Sequence, residues 1–156
     1  MNREDLQFLP ISINVTNQKI LLIGGGKVAT HKATILQRFV NQVTVLAPEF
    51  TSEIKLLPFQ FIEKKYETGD LEGFFLVYVC TENHALNKQI KDDAKALGIL
   101  TSVCDDPLQC DFVSPAIHKE GNITISIGSN AQNAFQSVAI RNQIKELIEN
   151  GTIHLQ

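Results

Sequence analysis

The sequence has no surplus of positive charge: 14 Lys and Arg against 17 Asp and Glu leave a formal net charge of -3 at pH 7. A chain that neutralises a run of phosphates needs such a surplus to displace their counterions, so no nucleic-acid partner is expected and only a local basic patch stays open. Long apolar runs are also missing. No stretch of about 20 apolar residues is available to span a bilayer. Met1 to Leu6 carry charges of both signs and lead into no apolar segment, so neither a signal peptide nor a membrane is expected and the reading is cytoplasmic. Cysteine is scarce. Cys80, Cys104 and Cys110 give an odd count without CxxC or Cys/His zinc spacing, which predicts reduced thiols and no metal site. Repeats and low-complexity linkers are absent as well.

What remains is ordinary globular material. The 156 residues are 44% hydrophobic and 20% charged, enough to fill one core, with room for a small appendage.

The order of segments defines the fold class. Residues 18–23 (QKILLI) form an apolar run that stops at three glycines, as a strand covered on both faces does. Apolar positions from Val28 to Phe39 recur at helical spacing, and Val43 to Ala47 is a second strand closed by Pro48. Strand, glycine turn, helix and strand in about 30 residues make a right-handed βαβ unit. The alternation continues through strands at 59–62, 75–80 and 99–104, with a helix at 84–97 closed by Gly98. The prediction is an α/β fold with a Rossmann-like doubly wound parallel sheet over residues 1–112. Beyond it, 112–118 and 123–127 flank a Gly-Asn turn and read as an antiparallel hairpin, followed by an amphipathic helix at 134–149. A hairpin and one helix bury little alone, so segment 113–156 must lean on the first domain or on a second copy of itself.

Gly24-Gly25-Gly26-Lys27-Val28-Ala29 fits G-x-G-x-x-A between a strand and a helix. In that context the first glycine allows the turn, the second lets backbone approach a pyrophosphate, and Ala29 brings helix to sheet. The helix N-terminus then holds the diphosphate. One customary element is missing: no acid closes the second strand, where Leu46-Ala47-Pro48 stands with Glu49 just beyond. Glu49 or local backbone groups are left to hold the ribose, and the absence of an Arg there favours NAD over NADP.

Two strand ends supply further candidates. Thr81 and Asn83 can cap the following helix and still line the cofactor crevice. Asp105-Asp106-Pro107 is either a turn before proline or a carboxylate placed to take a proton while a hydride leaves. Lys27, His31, Lys32, His118, Lys119, Arg141 and Lys145 could form a cationic rim or simply a solvated surface.

Taken together these segments resemble the N-terminal module of the siroheme synthase family, the precorrin-2 dehydrogenases, some of which are also sirohydrochlorin ferrochelatases. The likeness runs through Phe8-Leu9-Pro10-Ile11, the glycine turn with Lys32-Ala33, Val43 to Pro48, and Thr81-Glu82-Asn83 with Asn87. It continues through Val103 to Pro107, Phe112 to Ala116 and Ile123 to Ile127. The resemblance implies NAD-dependent oxidation of precorrin-2 to sirohydrochlorin by a homodimer. It implies Asp105 as the catalytic residue, NAD contacts at Lys27, Val28, Pro48 and Glu49, and a substrate contact at Ser129. For the many carboxylates of such a substrate, His118 and Arg141 are the cationic candidates. The turn after the last hairpin strand departs from the family's Ser-Gly-Gly-Thr-Ser-Pro and reads Ser129-Asn130-Ala131-Gln132-Asn133-Ala134. Typical members also add a further helical region beyond the last helix. Two alternatives stay open: a bifunctional dehydrogenase and ferrochelatase, and a nicotinamide-sensing module without chemistry.

Overall fold

The computed structural model describes residues 1–155. Its contacts fall into two compact units, Ser12–Phe112 and Met1–Ile11 with Val113–Gln156. The first eleven residues, read from sequence as part of the nucleotide-binding domain, thus belong with the C-terminal unit.

The larger unit is a five-stranded parallel sheet in the order β3-β2-β1-β4-β5. The strands are β1 (Ile20–Ile23), β2 (Val43–Ala47), β3 (Gln60–Glu63), β4 (Leu76–Val79) and β5 (Leu100–Val103). Every residue of β1, β2 and β4 is buried, which is why these segments read as unbroken apolar runs. Alternate side chains serve opposite faces. Ile20, Leu22, Val45 and Tyr78 pack with Ala29, Ala33 and Leu36 of α1 (Lys27–Leu36). Leu21, Ile23, Val77 and Val79 pack with Ile90 and Ala94 of α2 (His84–Ala96). The chain leaves β1 toward β2 on one side and returns to β4 on the other, so a crevice opens at the carboxyl ends of β1 and β4.

Two boundaries differ from the sequence expectation. The helix α1 ends at Leu36 rather than Phe39, because the Leu36 carbonyl accepts from both Phe39 and Val40 and closes the last turn. Phe112 joins the first unit instead of the hairpin: its ring meets Tyr78 edge-on at 5.2 Å.

The smaller unit contains the hairpin β6 (Ala116–Glu120) and β7 (Ile123–Ile127), with Gly121 at φ 54 in its two-residue turn, and α3 (Ala134–Glu149). Its N-terminal arm is fastened to the turn before α3. Arg3 donates from Nε and Nη2 to the Ala131 carbonyl at 3.0 and 2.6 Å, and Phe8 N–H donates to Asn130 Oδ1 at 3.0 Å.

Candidate functional site

The three glycines do three different things. Gly24 leaves β1 at φ 133, and a Cβ there would stand 2.4 Å from the Cys80 carbonyl oxygen. A Cβ on Gly25 would stand 1.8 Å from the Glu49 carbonyl oxygen, whose backbone crosses directly over the turn. Nothing lies within 4 Å of a Cβ on Gly26. Gly26 is the N-cap of α1 and offers no capping side chain, and the first turn carries no acid. The leading N–H groups of α1 therefore face open space with the positive end of the helix dipole behind them, an arrangement suited to a diphosphate. Lys27 and Val28 are exposed at this mouth.

A cleft of about 530 Å³ opens on the α2 side of the turn. Its floor is Ile23, Gly24 and Leu46, with Pro48 on one wall and Thr81, Asn83 and Leu86 on the other. The volume and the mostly apolar walls suit the adenosine half of a nicotinamide dinucleotide. Thr81 and Asn83 both line the cleft, and of the two it is Asn83 that caps the helix. Asn83 Oδ1 accepts from Leu86 N–H at 3.0 Å and caps α2. The Thr81 hydroxyl bonds the side-chain oxygen of Asn87, whose amide donates back to the Thr81 carbonyl at 3.0 Å. Pro48 is on the lining, whereas Glu49 is not; the contribution of Glu49 is the carbonyl over Gly25.

Sequence reading missed Lys65 and Tyr66, which complete the cleft. The Tyr66 phenol donates to Asp93 Oδ2 of α2 at 2.8 Å, and burial followed by that carboxylate pushes its pKa upward. These residues lie in an irregular stretch after β3, where no period or motif marks them.

Asp105, the proton acceptor expected from the sequence, lies just beyond the carboxyl end of β5. Asp105 is exposed and sits at φ 67, in the left-handed region that Asp tolerates better than most side chains. Its carboxylate has no hydrogen-bond partner among the described residues. Behind it, Cys110 Sγ folds back onto the Val103 backbone, 3.2 Å from its N–H and 3.3 Å from its carbonyl. Burial pushes the Cys110 thiol up. Cys80 and Cys104, expected as reduced thiols, face each other across β4 and β5 with Cα atoms 5.1 Å apart and are joined as a disulfide. Parallel register places these two side by side, a juxtaposition that a sequence separation of 24 conceals.

The cationic candidates separate. Lys27 and His31 are exposed on α1, but Lys32 is half-buried, its ammonium 5.2 Å from the centre of the Tyr78 ring. Burial lowers the Lys32 pKa, and Cys110 and Asp105 partly offset that. Within the smaller unit Arg141 donates to the Ile117 carbonyl at 3.1 Å, and His118 Nε2 lies 3.4 Å from Glu120 Oε2. Ser129 Oγ accepts from Asn133 N–H at 3.1 Å and supports the start of α3. Ser129 and Arg141 thus already have intramolecular hydrogen-bond partners, whereas the buried His118 Nε2 has none among the described residues. No group of three or more His, Cys, Asp or Glu that could hold a metal stands together among the described residues.

Comparison with known proteins places this geometry. The family described as "Putative NAD(P)-binding" matches residues 11–116. The siroheme synthase of Psychrobacter sp. (strain PRwf-1) is 36% identical over 146 residues, covering 91% of this chain and 30% of that protein. The probable multifunctional siroheme biosynthesis protein HemA of Ruminiclostridium josui is 31% identical over 145 residues, covering 88% of this chain and 28% of its own length. The chain therefore spans about a third of the length of the curated relatives it matches. The solved structure of SirC, precorrin-2 dehydrogenase, superposes with a TM-score of 0.79 at 21% identity, over 89% of this chain and 70% of that one. That likeness is one of fold. Glycine turn, open helix terminus and adenosine-sized cleft all lie inside the matched residues, and the chain belongs to this NAD(P)-binding family.

Proposed function

We propose that this protein oxidises precorrin-2 to sirohydrochlorin with NAD as hydride acceptor. The observation that carries the reading is the Asp105 carboxylate, without a hydrogen-bond partner among the described residues, at the end of β5 in the same sheet as the glycine turn that opens α1. A module that only sensed the cofactor has no use for that group. The similarity to siroheme synthases and the fold shared with a precorrin-2 dehydrogenase support the choice of substrate.

The reaction removes two electrons and two protons' worth of hydrogen from the substrate. A bound nicotinamide would supply the hydride acceptor, and Asp105 would take the hydrogen that leaves as a proton. The N–H groups after Gly26 hold the diphosphate, with Lys27 and Val28 at its edge. Pro48, Thr81 and Asn83 bound the adenosine, and the Glu49 backbone fixes the turn. Because the oxidation extends conjugation, orientation of the two partners is the main requirement. No guanidinium follows β2, which favours NAD, although Lys65 on the cleft lining is a cation a 2′-phosphate would seek. Ser129, His118 and Arg141 are proposed for the substrate carboxylates, Arg141 after release of the Ile117 carbonyl. A cytoplasmic homodimer completes the reading; among the described residues no helix is long and apolar enough to cross a membrane.

The test mixes purified protein with precorrin-2 and either NAD or NADP, and follows reduced nicotinamide and sirohydrochlorin by absorbance. Turnover is expected with NAD, and preferential use of NADP would transfer the assignment to Lys65. Asp105→Asn keeps the left-handed backbone and should lower the rate on the order of 100-fold, as removal of a general base does. An undiminished rate in that variant takes Asp105 out of the mechanism, and cofactor binding without turnover favours the sensing module.

A further inference from the structure

One covalent bond links neighbouring strands at the crevice. Val79 of β4 pairs with Val103 of β5, so the next residues, Cys80 and Cys104, leave the two strands side by side. Their Cα atoms are 5.1 Å apart, within the span a disulfide bridges, and the two are joined. Each cysteine precedes a residue of the site. Thr81 follows Cys80 and lines the cleft, and Asp105 follows Cys104. The Cys80 carbonyl also stands against Gly24, at the root of the glycine turn. The β4–β5 ladder ends here: Cys104 N–H donates to the Val79 carbonyl at 2.8 Å, and Asp106 N–H turns back to the Val103 carbonyl at 3.2 Å. Asp105 lies between these bonds in left-handed backbone, at φ 67. A residue with a side chain stays in that region only where its neighbours hold it there. The bridge is the covalent part of that hold. In the cytoplasmic setting proposed above, thiol pools keep cysteines reduced, and a disulfide that does form is usually transient and redox-sensing.

We propose that Cys80 and Cys104 form a thiol-oxidation site that governs Asp105: closed, the bridge holds the Asp105 segment against β4, and open, it releases that segment. The effect on turnover rests on Asp105 being the proton acceptor. Opening takes a dithiol as reductant. Cys104 is half-buried and Cys80 buried, so one thiolate of the dithiol attacks the Cys104 sulfur and Cys80 departs as a thiolate. The second thiolate of the reductant then attacks the reductant's sulfur in the mixed disulfide and frees Cys104. Two electrons and two protons pass to the protein, and the dithiol becomes a disulfide. Closing is the reverse exchange with a low-molecular-weight disulfide, which leaves as two thiols. Cofactor binding should change little, because Cys80 N–H keeps its bond to the Ile23 carbonyl at 2.7 Å whichever state the sulfurs are in.

The full chain is treated with dithiothreitol or with oxidised glutathione, alkylated in denaturant and weighed. One alkyl group is expected after oxidation, on Cys110, and three after reduction. Reduction should lower kcat for precorrin-2 by about tenfold, with NAD affinity held within about twofold. The double variant Cys80→Ser with Cys104→Ser should bind NAD like the wild type and keep the lower kcat under both treatments. Equal alkylation after the two treatments, equal kcat in the two wild-type forms, or a double variant that still responds overturns the proposal. Absence of precorrin-2 turnover in either form defeats the reading of the substrate instead, and amide hydrogen exchange then decides on the bridge. The Cys104 and Asp106 N–H groups should exchange roughly tenfold faster in the reduced protein, as a locally loosened segment does. Unchanged exchange overturns the proposal whatever the substrate.

Discussion

Two adjacent glycines in one turn make separable demands, and substitution tells them apart. A methyl group on Gly25 would meet the Glu49 carbonyl at 1.8 Å, backbone against backbone, with no flexible side chain to yield. The Gly25 carbonyl also accepts from Thr51 N–H at 2.9 Å, so the two segments cannot part without breaking that bond. Gly25→Ala should therefore unfold at a lower temperature, with a loss of at least 2 kcal/mol, about the range of a badly overpacked site. Gly26→Ala meets nothing within 4 Å. Its melting temperature should match the wild type, while its affinity for NAD falls at least tenfold, since the methyl group enters the space where a diphosphate would rest. Thermal melts with calorimetric titration of NAD check both. A Gly26→Ala variant that binds NAD normally would move the diphosphate away from the α1 terminus.

At the level of elements, the turn between β7 and α3 holds a local cost. Asn130 and Ala131 both adopt left-handed backbone, φ 49 and 59, where the family turn that the sequence resembles has two glycines. Asn accepts that conformation readily, but alanine loses about 1–2 kcal/mol there. The Arg3 guanidinium on the Ala131 carbonyl helps to hold it. Ala131→Gly removes the steric cost and gives back roughly 0.5–1 kcal/mol through a freer unfolded chain, so a net gain of about 0.5–1 kcal/mol is expected. Chemical denaturation with and without the substitution measures it, and a loss of stability would show that the turn is not under strain.

This turn also marks the limit of what the sequence reveals. The parallel sheet and its helices were legible because buried strands read as apolar runs and α1 and α2 carry a helical period. The glycine turn was legible because backbone contacts demand glycine at Gly24 and Gly25. Capping by Asn83 was equally plain. Lys65, Tyr66 and the burial of Lys32 were not, since each depends on which distant element packs alongside. The β6 start at Ala116 instead of Phe112 has the same origin: an aromatic in a β-like run was captured by Tyr78 of another element.

For the whole molecule, the unpaid surface of the smaller unit is the decisive quantity. Among its described residues only Leu6 and Ser137 are buried. Along α3, Phe135 is 91% exposed. Val138 follows three residues later on the same stripe, while Ile140 and Leu147, seven apart, form a second stripe across the helix. A two-stranded hairpin with one such helix is marginal in water unless something covers it. A two-fold partner presenting the same surface is the economical cover, and it places every substitution on the interface twice. The full chain should sediment at twice 17.4 kDa. Phe135→Asp forfeits roughly 1.5–3 kcal/mol of burial in each copy, so dimer affinity should weaken on the order of 100-fold or more. Analytical ultracentrifugation across a dilution series reads this directly, and NAD affinity serves as the control, because the glycine turn belongs to the other unit. A wild-type chain that stays monomeric at high micromolar concentration would mean that this surface is covered by a different partner, and Phe135→Asp would then leave the sedimentation unchanged.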